Sequence, residues 1–198
     1  MKFKTDDDAH SFDISPEGAG LEGIYDGDST QKSSLEFTNT LPTSDGKFSK
    51  VPSGWIAQDG YMTTNPKQQG LGYMMSFAGA TMAAQGGIEH VFVSSGSVGG
   101  GGQAVIAALG GAKYDLSVTM QDGKTEIFGG YAIPVASMLE KSAQGWKAKG
   151  WVLTDETLQP RTVQADRGDN ILTGRNNNPD RYRRAIRPLS GTSPIADA

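Results

Sequence analysis

The sequence predicts a mainly β, turn-rich protein with one or two short helices and an extended arm at each end. Three observations carry this. Glycine is abundant, at 27 of 198 residues, while apolar residues reach only 36%; that balance favours short strands and turns over packed helices. The stretch "YDLSVTMQDGKTEIFGGYAIP", residues 114–134, alternates apolar and polar residues around an Asp-Gly pair. Beyond Leu158 the apolar pattern stops.

Taken in order, residues 1–33 are polar and rich in Gly, Asp and Ser, which reads as an arm or loop with little regular structure. A β-rich body is expected over 34–158. "SSLEFTNTLP" is a short strand ended by Pro42, and "TSDGKFSKVPSGW" holds an Asp45-Gly46 turn. "GWIAQDGYM" is a second short strand region. "LGYMMSFAGATMAAQGG" fits a strand through Tyr73–Phe77 and a short helix over 78–85, stopped by Gly86-Gly87. The apolar run "IEHVFV" leads into "SSGSVGGGGQAVIAALGG", a glycine loop before a short helix from Gln103 to Leu109.

Asp122-Gly123 suits a two-residue hairpin turn, because Asp and Gly tolerate positive φ. Folding there sets Val118 opposite Ile127, Leu116 opposite Gly129 and Tyr114 opposite Tyr131, with Thr119 opposite Glu126 on the other face. "GWKAKGWVLT" reads as a further strand with a bulge near Gly150. Residues 159–198 have few apolar side chains, an Asn run and several Pro. Such a segment cannot build a core alone and forms an extended arm.

Charge is segregated within a net −4. Residues 159–198 hold seven Arg, no Lys and four Asp, a net +3; residues 1–158 hold eleven Lys, no Arg and eighteen acids, a net −7. Residues 1–28 alone carry eight acids against two Lys. Opposite charges at opposite ends of a chain point to contacts between copies or with another charged partner. Arg181, Arg183, Arg184 and Arg187 cluster around Tyr182, and Asp6, Asp7 and Asp8, with the acids at 13, 17, 22, 26 and 28, offer a complement on another copy. These form the expected assembly interface. Arg forks also suit phosphates, so nucleic-acid contact through the arm stays open beside an acidic protein neighbour.

Other chemistry finds little support. With no Cys and only His10 and His90, disulfides and thiolate metal sites are excluded, and a histidine metal centre would need carboxylates. The glycine loop lacks the Gly-Lys-Ser/Thr of a Walker loop: Gly102 is followed by Gln103-Ala104. A run of four glycines meets a Rossmann spacing trivially, and the helix after it is too short for a parallel crossover. Ser94 and Ser95 lack a nucleophile elbow, and His90 has no acid partner defined by sequence. "DDD" at 6–8 lacks the spacing of a calcium loop. Trp55, Trp146 and Trp151 suit a core better than a stacking platform. No catalytic residue, metal or cofactor is expected. No apolar run approaches a membrane span, and "MKFKTDDDAH" does not read as a secretory signal.

From Gln103 to about Thr154, the features "GQAVIAAL", "YDLSVTMQDGKTEIFGGY" and "SMLEKSAQGWKAKGWVLT" resemble the second half of tail tube (major tail) proteins of long-tailed bacteriophages. The resemblance covers about fifty residues and rests on pattern. It implies a small antiparallel β-sandwich or barrel with a flanking helix, assembled into rings or trimers. It also implies a place in the virion beside other virion proteins, and no catalytic residues. A capsid decoration (cement) or coat protein, whose arm grips neighbouring subunits or genome, is the alternative. A β-fold enzyme or ligand-binding domain using the glycine loop comes third.

Overall fold

The computed structural model describes residues 1–158 apart from 19, 100 and 121. The Arg-rich arm, and with it Arg181, Tyr182, Arg183, Arg184 and Arg187, lies outside the described residues. The mainly β class holds. Strands β1 (Lys2–Thr5), β2 (Ser11–Glu17), β3 (Gly20–Tyr25), β4 (Asp28–Thr38), β5 (Thr40–Pro42), β6 (Phe48–Lys50) and β7 (Trp55–Thr63) come first. Then follow α1 (Leu71–Gln85), β8 (His90–Ser94), α2 (Gly102–Ala108), β9 (Ala112–Thr119), β10 (Thr125–Pro134), α3 (Val135–Lys147) and β11 (Trp151–Asp155).

Nine strands form one sheet in the order β11-β1-β2-β3-β4-β7-β8-β10-β9, and β5 and β6 form a separate ribbon. Every neighbouring pair is antiparallel except β7 and β8. The sheet is therefore mixed. Its parallel pair is joined through α1, since a parallel crossover needs a long connection. The first and last described strands pair, and the Met1 amine donates to Ile14 O at 2.7 Å and Thr157 O at 2.6 Å.

Residues 1–33 are not the expected arm. Those residues supply β1, β2, β3 and the start of β4, and they bury Phe3, Phe12, Ile14 and Leu21. Asp6, Asp7, Asp8, Gly18, Asp26 and Gly27 lie between the strands, while Asp13, Gly20, Gly23 and Asp28 lie within them, so turn-like composition hid the alternation. Among the described residues three α-helices form where one or two short ones were expected.

Helix α1 absorbs the segment read as strand plus helix. Its Met and Ala residues are good helix formers. Gly87 closes it in a left-handed turn, with Ile88 N–H donating to Ala83 O at 2.9 Å. It is apolar nearly all round because it lies against the sheet on one side and α3 on another. Helix α3 is amphipathic and turns Val135, Met138, Ser142 and Trp146 inward. It passes so close to α1 that a Cβ at Gly145 would lie 2.5 Å from the Tyr73 ring. Trp146 stands edge-on to both Phe3 at 5.4 Å and Phe77 at 6.0 Å. The strand expected over 145–154 thus begins only at Trp151; the residues before it end α3.

A flat sheet from β11 to β10 would span ~34 Å, while two helices side by side cover roughly 20 Å. Yet one continuous core takes in Phe3 of β1, Met74 and Ala78 of α1, and Ile133 of β10. That core also includes Ile106 of α2 and Leu109 just after it, so α2 helps cover the sheet beside α1 and α3. The sheet remains open, with β11 and β9 at its ends.

The hairpin forms where expected, but in a different register. Val118 pairs with Glu126, Leu116 with Phe128 and Tyr114 with Gly130. Met120 N–H donates to Lys124 O at 2.7 Å and Gly123 N–H to Met120 O at 3.0 Å, with Gly123 at φ 82. This is a three-residue loop with glycine at its left-handed position. One extra loop residue shifts every pair by one. Val118 is buried at 2% exposure, and Ile127, its expected partner, is 68% exposed on the other face. Val118, Leu116, Phe92 and Ala57 form a second cluster, covered by Leu41 from the β5–β6 ribbon.

Candidate assembly surface

The acidic residues singled out in the sequence fall into two groups. The β1–β2 turn carries Asp6, Asp7 and Asp8, all exposed; the β3–β4 turn carries Asp26, and Asp28 opens β4 beside it. Both turns lie at the same end of the sheet, where Asp26 N–H donates to Ser11 O and Asp6 N–H to Gly150 O, each at 2.9 Å. Local bonds fix these carboxylates. Asp8 sits 3.0 Å from Lys4 Nζ. Asp26 receives Ser11 N–H at 2.7 Å and faces His10 Nδ1 at 2.7 Å.

Hydrogen bonds from Thr5, then Ala9, hold the Asp7 carboxyl below the usual range. The backbone N–H of Thr30, then its hydroxyl, does the same for Asp28. Asp7 and Asp28 therefore hold their charge further into acid than an ordinary aspartate. Asp13, Glu17 and Glu22 do not join this group. Asp13 lies 3.9 Å from Lys2, and Glu22 2.8 Å from Lys32. Strand β11 runs from the Gly150 end toward Thr157, so the described chain leaves the body at the opposite end, beside Met1.

The glycine loop follows β8 through a single turn at Ser95–Ser97, and Tyr61 on β7 donates its hydroxyl to Gly96 O at 3.0 Å. Helix α2 has seven residues and leads directly into β9, which pairs antiparallel with β10. Among the described residues, no group of three or more His, Asp or Glu could hold a metal ion, and no helix is long and apolar enough to cross a membrane.

Of the three tryptophans, Trp146 and Trp151 are core residues, and Trp151 donates its indole N–H to Gln69 O at 2.8 Å. Trp55 is different. It stacks on His90 at 4.6 Å and 18° and on Tyr114 at 5.1 Å and 28°. His90, Trp55 and Tyr114 thus form one aromatic stack across β8, β7 and β9. Tyr114 ends it on the outermost strand at 44% exposure. Alternation alone placed Tyr114 on the face of Leu116 and Val118. The stack depends on strand order, which periodicity does not encode. Compared with protein families, curated proteins and solved structures, the chain matches none.

Proposed function

We propose that this protein is a non-enzymatic, self-assembling structural component of a phage particle, of the tail-tube kind that residues 103–154 resemble. The observation that supports it most is the charge division. All seven Arg lie in residues 159–198, while the body carries eleven Lys against eighteen acids. The acids at 6–8 and 26 sit on exposed turns at one end of the sheet, with Asp28 at the start of β4 beside them. An arm without a core gains order by lying on a neighbour and burying surface it cannot bury alone. Forked Arg pairing to those carboxylates sets the orientation of one copy on the next.

A second reading draws on the same arginines. Their use without any Lys suits phosphate as well as carboxylate, which supports a decoration or coat protein whose arm touches the genome. Electron microscopy of the purified full-length protein tests the proposal: rings, tubes or other closed assemblies are expected. A protein that stays dispersed at every concentration and salt would overturn it.

A further inference from the structure

The free edge of β9 is self-complementary, and the geometry points to a twofold dimer in which β9 of one copy pairs antiparallel with β9 of a second copy. Among the described residues β9 pairs only with β10. The hairpin bond from Met120 N–H to Lys124 O fixes which residues face β10. Bonding alternates along an antiparallel pair, so Leu116 and Tyr114 turn their backbone groups toward β10. Lys113, Asp115 and Ser117 turn theirs outward. An edge with outward N–H and C=O groups, no proline and eight residues of strand is a template for another strand.

The side chains select the register. Lys113 and Asp115 share one face, and neither makes an ion pair among the described residues. Setting Lys113 opposite Asp115 of the second copy makes two opposite-charge pairs related by the twofold axis. Both are pairs whose backbone groups already point outward. That register brings Tyr114 against Tyr114 on the axis. The half-exposed end of each His90–Trp55–Tyr114 stack then meets its twin, giving one aromatic column across both copies. Moving the register so that Asp115 meets Asp115 puts like charges face to face, which is unfavourable. An isologous contact needs this reciprocity, residue i on j and j on i. The dimer stands whether or not larger assemblies form.

Full-length protein tests it by sedimentation and by cross-linking. The chain has no cysteine, so single Cys variants report register directly. Across such a pair the Cα atoms lie ~4.5 Å apart, within disulfide range. Tyr114→Cys is expected to oxidise to a linked dimer, whereas Asp115→Cys and Ser117→Cys are not. Lys113→Asp alone and Asp115→Lys alone each place like charges opposite, and each is expected to weaken the dimer about tenfold or more. Mixing these two variants restores association as a heterodimer, and the double variant restores the homodimer. A monomeric wild-type protein, or cross-linking at Asp115 in place of Tyr114, would overturn the inference. Rings or tubes seen by microscopy without the Tyr114→Cys link remove this dimer and leave the assembly proposal standing. A linked dimer with no larger assembly does the reverse.

Discussion

Glu126 on β10 accepts the backbone N–H of Ser44 on both carboxylate oxygens, at 2.9 and 3.2 Å, across 82 residues of sequence. The contact ties the tip of the β5–β6 ribbon to the β9–β10 hairpin. Beneath it, Leu41 covers Leu116, Val118 and Phe92. The ribbon forms no strand pair with the main sheet, and this clip, Leu41 and Val51 are among the contacts that hold it. Glu126→Ala is expected to cost about 1 kcal/mol. Hydrogen exchange should rise first over residues 40–50 and leave α1 protected. Uniform loss of protection across the chain would show that the clip is not local.

The hairpin register gives a paired test. Val118→Asp buries a carboxylate in an apolar cluster with no partner, and no soluble folded protein is expected. Ile127→Asp adds a charge where water already reaches, and stability should stay within ~0.5 kcal/mol of the parent. Thermal melts of the two variants distinguish this register from one that pairs Val118 with Ile127.

That hairpin also shows what the sequence carries and what it does not. Alternation and Asp-Gly located both strands, because period and turn chemistry are local. The register escaped because Asp-Gly serves a two-residue and a three-residue loop alike, and one residue reverses the facing of Ile127. The strands of residues 1–33 were hidden by turn residues, although Phe12 and Ile14 alternate with Asp13 and Ser15. Helix α1 misled because a helix buried on most sides has little periodicity to read. At the candidate surface, the exposed Asp6–Asp8 run was legible as charge. Its union with Asp26 and Asp28, and the position of Tyr114 at a sheet edge, depend on strand pairing between distant segments.

Close packing of α1 on α3 rests on the missing side chain at Gly145. Gly145→Val drives a branched side chain into the Tyr73 ring, whose atoms lie 2.5 to 2.7 Å from the Cβ position. Overpacking of this kind costs about 1–3 kcal/mol. A lowered urea midpoint with unchanged slope is expected, and relief by Tyr73→Leu would show that the ring is the obstacle. A Gly145→Val protein as stable as the parent would mean the helices sit farther apart.

Acid should loosen the ribbon before the core. The Asp45 carboxyl is lowered to about 2 by the Thr43 hydroxyl first, then by Lys47. A carboxyl whose folded pKa is depressed contributes stability that is full above its unfolded value, 3.8, and is lost as pH falls through the folded value. The loss therefore runs between about pH 4 and 2. Asp45→Asn should remove part of that dependence and leave stability at pH 7 lower. An acid limb identical in the variant and the parent would show that Asp45 does not contribute to it.

The arm carries the remaining prediction. Neutralising Arg183 and Arg184 together, as Arg183→Gln with Arg184→Gln, leaves the described body untouched and should weaken assembly. It should also flatten the salt dependence of assembly, because exposed ion pairs are screened over about 10 Å at 0.1 M salt. Removing residues 159–198 should leave a folded body that assembles poorly, since every described residue of the sheet and its helices precedes residue 159. The genome reading separates cleanly: the isolated arm would bind DNA with a salt slope near the number of phosphates it neutralises. Reversing Asp6, Asp7 and Asp8 to Lys in the full chain then decides the partner. Lost assembly assigns the arginines to carboxylates of another copy, whereas unchanged assembly with DNA binding assigns them to phosphate. If truncation changes neither assembly nor DNA binding, the arm performs neither role.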